Sequence, residues 1–163
     1  MHSIRPATPA DIPLILDLIR ALAACEREPD AVKTTEADLL RDGFGEHPCF
    51  ECLIAENRDG EQPEAAGFAL YFYNYSTWKG RPGLFLEDLF VWPEYRGKGI
   101  GKALLLHLAK IAVAENCGRY EWNVLDWNTP AIEFYESLGA VRMSEWLPMR
   151  VDGDALLELA RKH

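Results

Sequence analysis

FVWPEYRGKGIGK, residues 90–102, joins an apolar run to a long amphipathic pattern and decides the fold of this chain. Glycines at positions 97, 99 and 101 let backbone amides approach a bulky ligand without a clash from a Cβ atom. The first amides of a helix, together with the helix dipole, favour an anion at the same place. The stretch therefore predicts a strand, a glycine-rich turn and a helix N-terminus that together bind a phosphate.

Two common types of phosphate-binding loop do not fit the spacing of these glycines. A dinucleotide-binding fingerprint needs a third glycine where Lys102 stands, and a Walker A loop needs a hydroxyl residue where Ala103 stands. Residues 96–101 match a different pattern, Arg/Gln-x-x-Gly-x-Gly/Ala. Taken alone, so short a match is also compatible with an ordinary glycine-rich turn.

The composition predicts one globular domain over residues 1–163 and a cationic partner. The chain has 17 basic and 26 acidic residues, a formal charge of −9 and 48% apolar residues. This charge repels nucleic acid and anionic membranes, and it favours small cations or basic protein segments. No apolar run reaches the about 20 residues of a membrane span, so we expect a cytoplasmic protein. Because the cysteines and histidines lack ligand spacing, we expect no metal.

Hydrophobic periodicity predicts a mixed α/β order with a mostly antiparallel sheet. The predicted strands are 3–5, 50–56, 65–75, 84–91, 119–125 and one after Gly139. The predicted helices run from the Thr8 cap to about Ala24, from near Thr35 to the glycines 43 and 45, over 99–115, from 128–130 onward, and over 154–161.

A second motif lies downstream of the glycine turn. WNTPAIEFYESLGA, residues 127–140, has an Asn cap, a Pro in the first turn and Tyr135 before the closing Leu-Gly-Ala. The two motifs in this order resemble those of the GNAT acyl-CoA N-acetyltransferases. The resemblance implies a central sheet that splays at the acetyl-CoA site and is flanked by helices. It also implies that Tyr135 is the general acid for the departing thiolate, although an isolated tyrosine is more often a packing residue.

Two adjacent carboxylates, Glu87 and Asp88, interrupt the apolar strand ahead of the glycine turn. Charges in a central strand are costly unless they are used or solvated. Strand alternation sends the two side chains to opposite faces, so at most one is expected to face a given pocket. We expect Glu87 to attract an ammonium group and to take its proton, directly or through water. The alternative is a structural carboxylate that pairs with a Lys or Arg.

Over nearly its whole length the chain is similar to the diamine acetyltransferases, the branch that acts on spermidine, spermine and thialysine. Residues 4–8, 42–48 and 86–88 carry this resemblance, and residues 76–81 and 125–128 are closer to the thialysine type. The resemblance implies an acetyl-CoA site formed by Leu89, Phe90, Val91, Arg96, Gly97, Lys98, Gly99, Ile100, Gly101, Lys102, Asn128 and Ala131. It implies an acceptor pocket formed by Cys25, Glu26, Glu87, Asp88, Glu121, Trp122 and Asn123. It also implies a homodimer.

One departure from this branch concerns the acceptor. The family usually has an aromatic residue before the glutamate that corresponds to Glu26, and here the position holds Cys25. A missing ring removes a cation–π contact worth about 0.5–2 kcal/mol, so we expect weaker binding of polyamines.

These patterns predict an acetyl-CoA-dependent N-acetyltransferase that acts by direct transfer in a ternary complex. The predicted acceptors are thialysine, a lysine-like amino acid, or a diamine or polyamine. The alternatives are a protein lysine or N-terminal acetyltransferase and a non-catalytic acyl-CoA-binding module.

Overall fold

The computed structural model describes residues 1–163 and contains two compact units, residues 1–123 and residues 124–163. The first unit carries a five-stranded sheet, with strands β1 (His2–Pro6), β2 (Glu51–Asn57), β3 (Glu64–Ser76), β4 (Arg81–Val91) and β5 (Arg119–Trp122). Its helices are α1 (Ile12–Cys25), α2 (Glu36–Phe44) and α3 (Ile100–Ala114). The strands follow one another in chain order, antiparallel except for the parallel pair β4–β5. The predicted mixed fold is confirmed.

Local capping explains where the first two helices begin. Thr35 Oγ1 accepts a hydrogen bond from the Asp38 amide, and Asp38 Oδ2 accepts one from the Thr35 amide. This reciprocal pair is a capping box, which satisfies backbone donors that a helix N-terminus leaves free. Before α1, Asp11 Oδ2 accepts from the Thr8 amide at 2.7 Å at the end of a short 3-10 turn.

One hydrophobic cluster of the first unit lies between α1 and one face of the sheet, and α3 contributes further buried residues such as Leu104 and Leu108. Apolar positions of α1 recur with helical spacing and pack, together with Leu39 of α2, against residues of β2, β3 and β4. The buried cluster comprises Ile12, Ile15, Leu16, Leu18, Leu39, Cys52, Ile54, Phe68, Leu70 and Phe90. This packing holds the C-terminal end of α1 over the part of β4 that carries the paired carboxylates.

A β-bulge in β4 corrects the prediction that strand alternation separates Glu87 and Asp88. Leu86 pairs with Tyr71 and Asp88 pairs with Leu70, so Glu87 is an extra residue with no partner on β3. Such a bulge interrupts alternation, because two residues of one strand lie opposite one residue of the other. Asp88 therefore shares a face with Leu70, opposite to the face of Leu86.

The pairing of β4 with β5 ends close to the same place. The β4–β5 pairing ends with Leu86 opposite Trp122, while β4 continues to Val91. Beyond Leu86, the edge of β4 on that side has no strand neighbour. The backbone groups that β4 directs to this edge after Leu86 are thus available to another partner, apart from the Val91 carbonyl, which accepts from Arg96.

The second unit holds helices α4 (Thr129–Ser137) and α5 (Gly153–Ala160). The predicted strand after Gly139 is wrong, because residues 140–152 pair with no strand. Gly139 follows the end of α4 with a φ of 99°. Arg142 Nη2 then forms an ion pair with Glu136 Oε1 of α4 at 2.7 Å. Apolar alternation alone does not make a strand when no neighbouring strand supplies hydrogen bonds. None of the helices in the structure has the length and apolar character needed to cross a membrane.

Candidate functional site

The glycine-rich turn adopts the conformation that its sequence predicts. Gly97 and Gly99 have φ angles of 77° and 78°, in the left-handed region that favours glycine. An added Cβ would meet nothing within 4 Å at either position, so backbone conformation and not crowding requires these two glycines. Ile100 then begins α3, and the amides of its first turn have no carbonyl one turn back to donate to. The turn therefore presents free backbone donors at a helix N-terminus, a geometry that binds anions.

Two cationic side chains flank this turn. Arg96 donates from Nε to the Val91 carbonyl at 2.9 Å, and its guanidinium lies 5.2 Å from the centroid of the Phe90 ring. Lys98 Nζ lies 5.5 Å from the centroid of the Tyr95 ring and 3.8 Å from Asp59. Arg96 thus fixes the turn to the end of β4, while both side chains add positive charge where a phosphate would bind.

Asp59 is a residue that sequence reasoning missed. It lies in the β2–β3 connection, far along the chain from the glycine turn, yet its carboxylate forms an ion pair with Lys98. The polar loop around it carried no motif. The pairing of β3 with β4, which sets Gly67 opposite Val91, brings this loop to the turn.

The structure brings Glu26, Glu87 and Asp88 together into what we call the acidic trio. Glu26 follows the end of α1, and the other two carboxylates lie on β4. Burial, followed by the charge of Glu87, raises the pKa of Glu26. Burial, followed by the charges of Glu87 and Glu26, raises the pKa of Asp88 to about 6. The three groups are therefore close enough to repel one another, which is a typical mark of a functional site.

No member of the acidic trio forms an ion pair or a side-chain hydrogen bond within the protein. The alternative reading of Glu87 as a structural carboxylate paired with a Lys or Arg is therefore wrong. The trio is also not arranged as metal ligands. An unpaired cluster of three carboxylates is an attractive environment for an organic cation.

Cys25 lies beside the trio and next to the glycine turn. Its Sγ is 3.9 Å from a terminal nitrogen of Arg96. The position where the related branch has an aromatic ring is thus in contact with the guanidinium that braces the turn. The end of α1 touches both the predicted acceptor region and the predicted phosphate region.

The three acceptor residues predicted in and after β5 each have different contacts. Trp122 stands at the last β4–β5 pair, opposite Leu86, and its ring lies 4.9 Å from that of Tyr120. Glu121 forms an ion pair with Arg119 at 2.7 Å, so its charge is already compensated. Asn123 follows the end of the strand.

In the second unit, Asn128 and Tyr135 lie at opposite ends of α4. Asn128 Oδ1 caps the helix by accepting from the Ala131 amide at 3.4 Å, which gives both predicted cofactor residues a structural role as well. Tyr135 is half-buried, and its ring lies 5.7 Å from that of Phe134.

Comparison with known proteins identifies a matching family and several related proteins. The profile of the family described as "Acetyltransferase (GNAT) family" matches residues 15–140. A thialysine N-epsilon-acetyltransferase from Bos taurus is 45% identical over 166 aligned residues, which cover 98% of this chain and 97% of the relative.

Two further matches also extend over nearly the whole chain. The human spermidine/spermine N(1)-acetyltransferase-like protein 1 is 44% identical over 96% of this chain, although the match covers only 23% of that longer protein. Among solved structures, an integron cassette protein from the mobile metagenome of V. cholerae has a TM-score of 0.79 and 30% identity, covering 99% of this chain and 98% of its own.

Proposed function

Because this chain belongs to the acetyltransferase (GNAT) family and is an N-acetyltransferase, we propose that it moves an acetyl group from acetyl-CoA to the primary amine of a small cationic acceptor. Thialysine, a lysine-like amino acid and a diamine or polyamine are the proposed acceptors. The observation that carries the proposal is the acidic trio, three carboxylates without a counter-ion beside the glycine-rich turn.

Members of the GNAT family use acetyl-CoA, and the glycine-rich turn supports the same donor here. The free amides at the start of α3 and the charges of Arg96 and Lys98 suit a pyrophosphate. The unpaired edge of β4 at residues 89–91 suits the amide groups of a pantetheine arm. In this proposal Gly97 to Lys102, with Asn128 and Ala131, complete the donor site.

The acceptor side is proposed to select a cation by charge. An ammonium group that enters between Glu26 and Glu87 relieves the repulsion within the acidic trio, so its binding is favourable. The same carboxylates stabilise the charged form of the amine, which must lose a proton before it can attack. In this proposal Glu87 accepts that proton, directly or through water.

Direct transfer in a ternary complex needs one base and one acid. In the proposed reaction the amine nitrogen forms a bond to the acetyl carbon as the carbon–sulfur bond breaks. Glu87 takes the first proton of the ammonium ion and passes it to solvent. Tyr135 donates a proton to the thiolate and is restored by the second proton that the nitrogen loses. The homodimer and the cytoplasmic location predicted from the sequence remain proposals as well.

A competition experiment tests the acceptor class. The purified protein is incubated with acetyl-CoA and an equimolar mixture of thialysine, lysine, ornithine, putrescine, spermidine and a lysine-containing peptide, and products are quantified by mass spectrometry. We expect the free amines to be acetylated at least about tenfold more efficiently than the peptide, since the trio acts on a small desolvated cation. Preferential acetylation of the peptide would instead support a protein acetyltransferase.

A further inference from the structure

We propose that Lys98 binds the 3′-phosphate on the adenosine of acetyl-CoA and thereby selects acetyl-CoA over donors that lack this group. The inference rests on the proposed function and concerns its donor site. The free amides of the glycine-rich turn suit the pyrophosphate, which CoA shares with 3′-dephospho-CoA, so a preference between these two molecules needs a further cation.

The connection between β2 and β3, residues 58–63, lies past the end of β4. Gly67 of β3 pairs with Val91 in an antiparallel ladder, so the residues before Gly67 continue beyond Val91. Glu87 and Asp88 of the acidic trio lie in the other direction along β4. In CoA the pantetheine arm leads from the thioester to the pyrophosphate, and the ribose with its 3′-phosphate follows. With the thioester near the trio and the pyrophosphate on the turn, the 3′-phosphate is expected on the side of this connection.

The two cationic side chains of the turn reach in different directions. Arg96 reaches back along β4, donating from Nε to the Val91 carbonyl at 2.9 Å. A terminal nitrogen of Arg96 lies 3.9 Å from the Cys25 sulfur, beside the trio. Lys98 instead reaches the β2–β3 connection, with its Nζ 3.8 Å from Asp59 Oδ2. Lys98, and not Arg96, therefore lies on the side where the 3′-phosphate is expected.

An anchored aromatic ring fixes the place of the Lys98 ammonium group. The Tyr95 hydroxyl donates to Glu64 Oε2 at 2.5 Å, which ties the ring to the first residue of β3. Lys98 Nζ lies 5.5 Å from the centroid of that ring, within the range of a cation–π contact. The side chain is half-exposed, so a ligand can reach it. A cation that is already held in place loses less conformational entropy when it binds a phosphate.

Lys98 also keeps its hydrogen-bond donors for a ligand. Its separation from Asp59 exceeds the length of a hydrogen bond, and it donates no hydrogen bond within the protein. Asp59 has a second partner, since it accepts a hydrogen bond from the amino group of Met1. Arg58 of the same connection is in contrast engaged by Glu56 at 2.9 Å. Lys98 is thus a cation of this region with three N–H donors to offer to a phosphate.

The test measures the dissociation constants of CoA and 3′-dephospho-CoA for the full chain by calorimetric titration, which requires no acetyl transfer. The wild type is expected to bind CoA about tenfold more tightly, the effect of one charge-assisted hydrogen bond. Lys98→Gln should reduce this preference to about twofold or less while binding 3′-dephospho-CoA nearly as the wild type does. Lys98→Arg keeps the charge and should retain most of the preference.

Two further lysines of α3 provide the comparison variants. Lys110→Gln removes the same charge about 15 Å from the start of the helix and should keep the wild-type preference. Lys102→Gln removes a charge in the first turn, beside the proposed pyrophosphate site, and should weaken the binding of both ligands alike. Raising the salt concentration from about 0.05 M to about 0.5 M should reduce the preference of the wild type but not that of Lys98→Gln, since salt screens exposed charges.

A preference for CoA that survives in Lys98→Gln, or that is lost equally in Lys110→Gln, would overturn the inference. If Lys98→Gln binds neither ligand, the wild type and Lys98→Arg decide: a preference that salt does not weaken, or that Lys98→Arg lacks, would refute the role of Lys98. Equal binding of both ligands by the wild type would also refute it and leave the proposed acetyl transfer intact. A wild type that binds neither ligand would refute the proposed donor site itself, which is a distinguishable result.

Discussion

At the residue scale, Asp88 shows how one extra residue in a strand changes the chemistry of its neighbour. The paired carboxylates were visible in the sequence, and their functional importance was inferred from the cost of charge in an apolar strand. Their common surroundings were not visible, because the bulge at Glu87 depends on the pairing of β3 with β4. Alternation is a local rule, and a long-range register overrides it here.

Tyr135 provides the second residue-scale prediction. If it protonates the CoA thiolate, Tyr135→Phe should lower kcat by about 10²–10⁴-fold, since the variant keeps the ring and loses only the proton donor. The dissociation constant of acetyl-CoA should change little. Steady-state kinetics and calorimetric titration check the two statements.

Tyr75→Phe is a suitable control for that experiment, because Tyr75 is 61% exposed on β3. The control should retain the wild-type kcat. A Tyr135→Phe variant with an unchanged kcat would remove Tyr135 from the mechanism and leave it as a packing residue of α4.

At the element scale, the starts of the helices could be predicted because capping residues and turn glycines mark them in the local sequence. Thr8 and Thr35 precede apolar stripes and cap helices, and the Gly-Lys-Gly turn starts α3 where its glycines require it. The strand predicted after Gly139 failed, because a strand needs a neighbour that no local pattern identifies. The acidic trio depends in the same way on α1 packing over β4, so Glu26 could be assigned only through a family resemblance.

Arg5 joins three elements of the first unit and supports another element-scale prediction. Its guanidinium donates to both oxygens of Asp11, at 2.8 and 2.9 Å, and to Glu56 at 2.6 Å. Hydrogen bonds from Arg5 hold the pKa of Asp11 and of Glu56 below their ordinary values. Arg5→Gln should therefore reduce the free energy of unfolding at pH 7 by about 1–3 kcal/mol, because it leaves two poorly exposed carboxylates without their main partner.

The lowered pKa values of Asp11 and Glu56 determine how this loss of stability depends on pH. Carboxylates with a lowered folded-state pKa stabilise the fold above their unfolded pKa of about 4, and this stabilisation is lost as the pH falls. The difference between wild type and Arg5→Gln should thus shrink toward acid pH in urea unfolding experiments. Arg41→Gln, which removes exposed ion pairs with Asp38 and Asp42, is the control and should have little effect. An equal loss for both variants would contradict a special role for the Arg5 cluster.

At the scale of the whole molecule, composition and site point to the same kind of acceptor. A formal charge of −9 favours the approach of cations, and the acidic trio offers them an uncompensated site. The glycine-rich turn could be predicted from the sequence because its residues are contiguous between β4 and α3. The acceptor side draws on α1 and β4, which lie far apart in the chain, and so only its cationic preference could be inferred.

The measurement that tests the central claim most directly is the stoichiometry of one reaction. The purified full chain is incubated with acetyl-CoA and thialysine, and free CoA and N-acetylated thialysine are quantified in the same sample. The account predicts that one acetylated amine forms for each CoA released and that CoA release falls to the background rate when the amine is omitted. Binding of acetyl-CoA without formation of an acetylated amine, with thialysine or with any other acceptor of the competition experiment, would contradict it.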